Sequence, residues 1–305
     1  MKPVGTVSRL TAAPDITLGH AIDSYLATLG GAEQDSTRRT YGKVLRHLAA
    51  EFGTDAAPDI DAEQFTRWFA GRWQARSPST WNVSLDAIRS AAGYWQSQGW
   101  IAADPSRMLK RRKPRPDHAR ALSVAEVERL LTREDIGLRE RVLWRMLYET
   151  AARSSEVLRL NVEDLDLPNR STRVRRKGGA VDLIVWQTGT ARLLPRLLKG
   201  RKSGPVFVTE RKARVQLPTA DLAPGGHARL SYQQAEALFK EASGGATLHQ
   251  LRHSALTHDA DDGTGAPMLM ARSGHTSIRS LGKYARVSAE ALARHQAERD
   301  PARRR

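Results

Sequence analysis

The sequence predicts a mainly α-helical protein with a small β-sheet, divided into two domains. Three observations lead there. Apolar residues recur at helical spacing from residue 16 to about 103 and again beyond 121. A proline-containing basic stretch, residues 103–120, separates the two regions. Within the second region, STRVRR and VDLIVW alternate on either side of KGGA, which reads as a β-hairpin about a Gly-Gly turn. A length of 305 residues also favours two domains over one.

Residues 1–15 read as a leader. The first domain, residues 16–103, carries four amphipathic runs. TLGHAIDSYLATLG places Leu18, Ala21, Ile22, Tyr25 and Leu26 on one helical face. A second run follows Ser36 and holds Tyr41, Val44, Leu45 and Leu48. A third begins at Asp61, where Gln64 three residues on suggests a capping box, and carries Phe65, Trp68 and Phe69. A fourth follows Pro78 with Trp81, Leu85, Ile88, Ala92 and Trp95. Five of the seven tryptophans fall in this segment, so their default role is the core of a small four-helix domain.

Residues 104–120 read as an extended basic linker. Prolines disfavour a helix there, and Arg107, Lys110, Arg111, Arg112, Lys113, Arg115 and Arg120 stand against two acids. The functional reading is a strap along phosphates, with Lys110, Arg111, Arg112, Lys113 and Arg115 as contacts. The plain reading is a solvated tether.

The second domain spans residues 121–298. Ser123 and Glu126 form a capping box that opens a helix through Leu131, and a longer helix covers Leu138 to Thr150. After the hairpin, helices are expected over Tyr232–Glu241, Leu248–Asp261, Pro267–Arg272, a run from Ser277 that includes Tyr284, and Ala289–Glu298. The last would present Ala289, Leu292 and Ala293 on one face, docked either on its own domain or on a neighbouring copy. Residues 299–305 are a basic tail.

Lys and Arg total 49 against 33 Asp and Glu, a net charge of +16. Such a field concentrates polyanions, and counterion release makes nucleic acid the leading partner. No stretch approaches the ~20 apolar residues of a membrane helix. The N-terminus lacks the apolar run of a secretory signal. Cysteine is absent, which excludes disulfides and cysteine-ligated zinc and fits a cytoplasmic protein.

Exchanging DNA strands without an external energy source requires a side-chain nucleophile that conserves the phosphodiester bond energy. It also needs cationic forks on the non-bridging oxygens and a proton donor for the leaving oxygen. Arg153, with Glu156 at i+3, follows an apolar helix; alone this pair is as well read as a surface contact. In TLHQLRHSALTH, Thr247 and Gln250 make a capping box, so His249 and Arg252 lie near a helix N-terminus on one face. In SGHTSIRSLGKYARVS, His275 follows Gly274 and Tyr284 lies nine residues later. A lone helical tyrosine is more often core than nucleophile. His253 and His258 point away from Arg252 and read as packing or surface residues.

Together, Arg153 with Glu156, HxxR at His249 and Arg252, GH at Gly274 and His275, and then Tyr284 resemble the tyrosine recombinase (phage integrase) family in order and spacing. The resemblance covers about residues 121–298. The first domain matches only in size, helix count and position. The resemblance implies an N-terminal helical core-binding (SAM-like) domain and a C-terminal α+β catalytic domain, closing on duplex DNA as a C-shape.

It further implies a site-specific DNA recombinase, an integrase, that needs no metal or cofactor. In that reading Tyr284 attacks the scissile phosphate, Arg153 and Arg252 clamp it, and His249 takes the tyrosyl proton. His275 bonds a phosphate oxygen and Glu156 orients the site. The family's hairpin lysine falls on Lys177, the proton donor to the leaving oxygen, with Arg175 and Arg176 beside it as phosphate contacts. The implied assembly is a tetramer on two double-stranded DNA duplexes, and the setting stays open between a phage or transposon mobile element and a chromosomal dimer-resolving enzyme. The start of the chain leaves no room for a separate arm-binding domain, which favours a simple two-domain recombinase. A type IB topoisomerase-like strand transferase and a catalytically silent DNA-binding protein on the same fold are the alternatives.

Overall fold

Helix α1 (Leu18–Thr28) begins where the Thr17 hydroxyl accepts from the His20 N–H at 3.3 Å. Helix α2 (Asp35–Phe52) follows, and α3 (Ala62–Trp73) starts at Asp61, whose carboxylate accepts from the Gln64 N–H at 2.7 Å. Helix α4 (Pro78–Ser97) is capped by Ser77, with Pro78 in the first turn, where no N–H is needed. These are the four runs expected from the sequence. In the computed structural model the described residues are 16–31, 34–57, 60–113, 121–176, 179–282 and 289–299.

The backbone clusters into two units, Met1–Asp117 and His118–Arg305. The core of the first is aromatic. Phe69 lies 4.6 Å from Trp73 and 4.9 Å from Trp81, ring centre to ring centre. Trp95 is fully buried and donates from Nε1 to the Ala21 carbonyl at 2.8 Å. Truncating side chains of this size typically costs about 3–5 kcal/mol, so this cluster holds the bundle together.

The described part of the basic stretch, up to Lys113, differs from the tether that its prolines and charge suggest. Trp81 Nε1 donates to the Lys110 carbonyl at 3.0 Å, and Arg89 reaches the Leu109 carbonyl at 2.8 Å. Asn82 pairs with both the N–H and the C=O of Arg112, at 2.8 Å each. The Arg112 guanidinium lies 3.7 Å from the Trp81 ring centre. Buried Leu109 anchors the strap to α4. A run that looks exposed in sequence is thus tied down by an indole and an amide lying 29 and 30 residues earlier in the chain.

In the second unit, α5 (Val124–Thr132) opens on the Ser123–Glu126 box. Helix α6 (Leu138–Thr150) is central and packs against several of its neighbours. The short α7 (Ser154–Leu158) leads to a three-stranded antiparallel sheet of β1 (Leu165–Asp166), β2 (Ser171–Arg175) and β3 (Val181–Val185). Arg175 pairs with Val181, so the expected hairpin is present in register.

Helix α8 (Thr188–Leu198) and a second small sheet, β4 (Val208–Lys212) with β5 (His227–Arg229), were not expected. Then come α9 (Tyr232–Ser243), α10 (Leu248–Asp261), α11 (Ala266–Ser273), α12 (Ile278–Leu281) and α13 (Ala289–Arg299). Helix α6 contacts α5, α8, α9 and α10 around a core that includes Trp144, Leu147, Leu194, Phe207 and Phe239. Helix α13 settles through buried Ala291, and Arg294 donates to the Asp261 carbonyl at 2.6 Å. Ala289, Leu292 and Ala293, the face expected to dock, are exposed. Among the described residues no helix is long and apolar enough to cross a membrane.

Candidate active site

The site residues are set by the ends of helices. Arg153 is the N-cap of α7, in extended conformation, and Glu156 is the third residue of that helix. Their i,i+3 spacing therefore acts as a cap and not as a pair on a helix face. Glu156 Oε2 accepts from the Arg153 N–H and Oε1 from Arg153 Nη1, both at 2.8 Å. Glu156 is buried, whereas the Arg153 side chain keeps 36% of its exposure and can meet a ligand.

The Thr247–Gln250 box opens α10 in both directions, at 3.1 and 3.0 Å. His249 lies exposed in the first turn, and Arg252, one turn on, is buried. The Arg252 guanidinium donates to the carbonyl of Ala151, at the left-handed end of α6, and to that of Ser273 at 2.7 Å. Ser273 closes α11, and Gly274 follows in the left-handed conformation (φ +62°).

The Ser273 hydroxyl donates to the Leu269 carbonyl at 2.6 Å, so its oxygen accepts from His275 Nδ1 at 2.7 Å. Arg252 and His275 are thus linked through Ser273, and Arg252 also holds Ala151, two residues before Arg153 in the chain. A phosphate clamp needs two such guanidinium groups fixed before the ligand arrives.

Arg176 departs from its expected role. It is buried, not a phosphate contact at the surface. Nη1 donates to Glu156 Oε2 at 2.7 Å, Nε to Asp182 Oδ2 at 2.9 Å, and Nη2 to the Arg272 carbonyl at 3.4 Å. Strand alternation explains the difference, because Arg175 points to the exposed face beside Arg173 and the next residue turns inward. An open groove of about 650 Å³ runs along the exposed face, lined in part by Arg159, Arg173, Arg175, Val181 and Leu183.

In the basic strap, Lys110 and Lys113 are exposed, Arg111 pairs with Asp86, and Arg112 is committed to Trp81 and to the Gln74 carbonyl at 2.9 Å. Lys177, Tyr284 and Arg115 lie outside the described residues, as do the leader and residues 300–305. His258 packs, with Nδ1 2.7 Å from the Tyr148 hydroxyl.

The residues missed from sequence are Ser273, Asp182, Arg272 and Glu149. Buried Glu149 accepts from the N–H groups of Gln187 and Thr190 at 2.8 and 3.2 Å, supplying the N-terminus of α8 with a carboxylate from α6. Arg272 donates back to the Glu149 carbonyl at 2.9 Å. Only the Ser-Gly step before His275 hinted at any of this.

The phage integrase family model matches residues 120–291. The tyrosine recombinase XerC of Pelobacter propionicus is 28% identical over 269 residues, covering 84% of this chain and 86% of that protein. The tyrosine recombinase XerD of Mycobacterium leprae is 29% identical over 229 residues, 68% of this chain and 70% of that one. Among solved structures, a lambda integrase (75–356) dimer bound to a COC′ core site superposes with TM-score 0.70 at 14% identity, over 90% of this chain and 97% of that chain. The Tn1549 transposon integrase (aa 82–397), in complex with circular intermediate DNA, gives 0.66 at 17% identity, over 92% and 99%.

Proposed function

Because the chain belongs to the phage integrase family and is a tyrosine-type site-specific recombinase, we propose that it cuts and rejoins duplex DNA through a 3′-phosphotyrosyl bond to Tyr284. The observation that carries this reading is the convergence on the end of α11 of Arg252 and His275, which bond to Ser273, and of Arg153, which reaches the Arg272 carbonyl through Glu156 and Arg176. Two fixed guanidinium groups beside one imidazole suit a phosphate whose charge grows in a five-coordinate transition state.

In the proposed reaction the Tyr284 oxygen bonds to phosphorus and the bond to the 5′-oxygen breaks. His249 takes the tyrosyl proton and Lys177 gives one to the departing 5′-oxygen. Arg153 and Arg252 hold the non-bridging oxygens, and His275 hydrogen-bonds one of them. Glu156 holds Arg153 in place. Return of a 5′-hydroxyl, from the same or a partner strand, reverses each transfer and releases the tyrosine. Removing one clamp should cost about 2.7–4 kcal/mol in the transition state.

Double-stranded DNA is the proposed partner, in keeping with the DNA named with the lambda and Tn1549 integrases. Lys110, Lys113 and Arg175 are the best placed phosphate contacts, and Arg115 is added from sequence. The proposed division is a core-binding domain to residue 103, a basic strap to 120 and a catalytic domain to 298, four copies acting on two duplexes.

The test is a nicked suicide duplex carrying a candidate site, incubated in EDTA and run on a denaturing gel. A covalent protein–DNA band that disappears in Tyr284→Phe is the expected result, with strand exchange between two duplexes separating recombinase from topoisomerase. No band on a site that the protein demonstrably binds would overturn the reading.

A further inference from the structure

Arg176 precedes Lys177 in sequence, yet it is turned inward and its side chain is 3% exposed. An arginine is buried in this way only when its charge and donors are matched. Here the match is specific. Arg153, Arg176, Glu156 and Asp182 form a neutral set of four charges. The third arm of Arg176 takes a carbonyl at the C-terminus of α11, where helix carbonyls lack partners of their own. One side chain therefore joins α7, the β2–β3 hairpin and α11.

The division of Glu156 between two arginines has a consequence for Arg153. Glu156 Oε1 takes one terminal nitrogen of Arg153, and Oε2 is occupied by Arg176 Nη1 together with the Arg153 backbone N–H. Carboxylates favour the two-point fork of an arginine. With Arg176 gone, Oε2 would keep only the Arg153 backbone N–H and have room for a second guanidinium nitrogen, so that Arg153 would turn both terminal nitrogens onto Glu156.

We propose that Arg176 is a positioning residue that keeps Arg153 bound to Glu156 through one terminal nitrogen, so that the rest of the guanidinium serves the scissile phosphate. The proposal rests on the reading of Arg153 as a phosphate clamp. It assigns Arg176 no contact with DNA. Its effect is on the rate of the covalent step and not on affinity for the duplex, most of which comes from phosphates outside the site.

The experiment compares Arg176→Met, Arg176→Lys, Glu156→Gln and the double variant that joins Arg176→Met to Glu156→Gln, each in the full chain. Thermal unfolding verifies folding, a shift assay gives affinity for the nicked duplex, and single-turnover formation of the covalent band gives the rate at saturation. Arg176→Met should bind within about threefold of the unaltered chain and cleave about tenfold or more slower. Arg176→Lys should recover part of that loss, because its ammonium can still occupy Oε2. In the double variant the amide that replaces the Glu156 carboxylate has no charge with which to capture Arg153, so the two losses should fall well short of multiplying.

Cleavage by Arg176→Met within about twofold of the unaltered chain would overturn the role of Arg176, as would losses that multiply. If Arg176→Met fails to fold, Arg176→Lys decides, and a folded lysine variant with an unchanged rate and unchanged coupling to Glu156→Gln overturns it equally. Failure of the unaltered chain to cleave a duplex that it binds would instead remove the phosphotyrosyl reading on which the proposal stands.

Discussion

Gly274 and Arg176 compete for the same space: a β-carbon on Gly274 would stand 2.6 Å from Arg176 Nε and 2.7 Å from its Cζ. The glycine also sits at φ +62°, where an L side chain costs roughly 1–2 kcal/mol. Gly274→Ala should therefore lose at least that much stability, with a further loss from displaced Arg176. Gly71, exposed within α3 with open space around its Cα, is the control. Gly71→Ala should gain about 0.5–1 kcal/mol. Chemical denaturation of the pair checks both signs, and equal effects would contradict the packing described.

Three of the four adjacent basic residues in the strap should differ in DNA binding. Lys110 and Lys113 are exposed, whereas Arg112 is spent on Trp81 and on Gln74. Each lysine changed to alanine should lower the slope of log K against log salt by about 0.9 if it neutralises one phosphate. Arg112→Ala should leave the slope nearly unchanged and lower the stability of the first unit. Titrations at several salt concentrations separate the two behaviours, and an Arg112 slope change equal to that of Lys113 would show a phosphate contact.

The outer edge of β3 offers a further test. Val181, Leu183 and Val185 are each more than half exposed and lie on the edge strand of their sheet. The even-numbered residues on either side face β2, as Arg176 N to Ala180 O and Trp186 N to Arg170 O show, so the odd positions direct their backbone groups outward. An aliphatic edge of this kind invites pairing with another strand. Leu183→Lys should reduce concentration-dependent association in light scattering while leaving thermal unfolding nearly unchanged. Association unaltered by the lysine would place the sticky surface elsewhere.

Much of this was legible in the sequence because the signals were local. The four runs of the first unit, the Ser123 and Thr247 boxes and the Gly-Gly hairpin each depend on residues within a turn or two of one another. Helix α8 was hidden by Pro195 inside it and by an N-terminus satisfied from Glu149, 38 residues earlier. The short β4–β5 pair was hidden by mostly polar residues, none of them buried, with an irregular register. At the site, residue types and order could be read, but which arginines face inward could not. Arg175 and Arg176 are alike in sequence, and only Glu156 and Asp182, brought together by the fold, distinguish them.

Acid stability should report on Asp259. This carboxyl lies against Arg272, with Oδ2 3.1 Å from Nε, but the pair is not aligned as a hydrogen bond, and Oδ2 is buried without such a partner. Burial raises its pKa above the ordinary 3.8; Arg272 opposes the rise, Asp262 adds to it and His258 opposes it. A raised folded value means that the folded chain holds this proton more tightly than the unfolded chain. Its contribution is therefore fully present below pH 3.8 and lost as pH rises through the folded value. Asp259→Asn removes the titration together with the charge facing Arg272, which adds an offset independent of this group's protonation. Subtracting denaturation free energies of the two proteins from about pH 3 to 7, across the carboxylate range, cancels the other carboxylates. The difference should move in favour of the asparagine variant as pH rises and then level off. Movement the other way would mean that the Arg272 pair outweighs desolvation, leaving Asp259 a net support of the α10–α11 junction on which the Ser273 carbonyl and His275 depend.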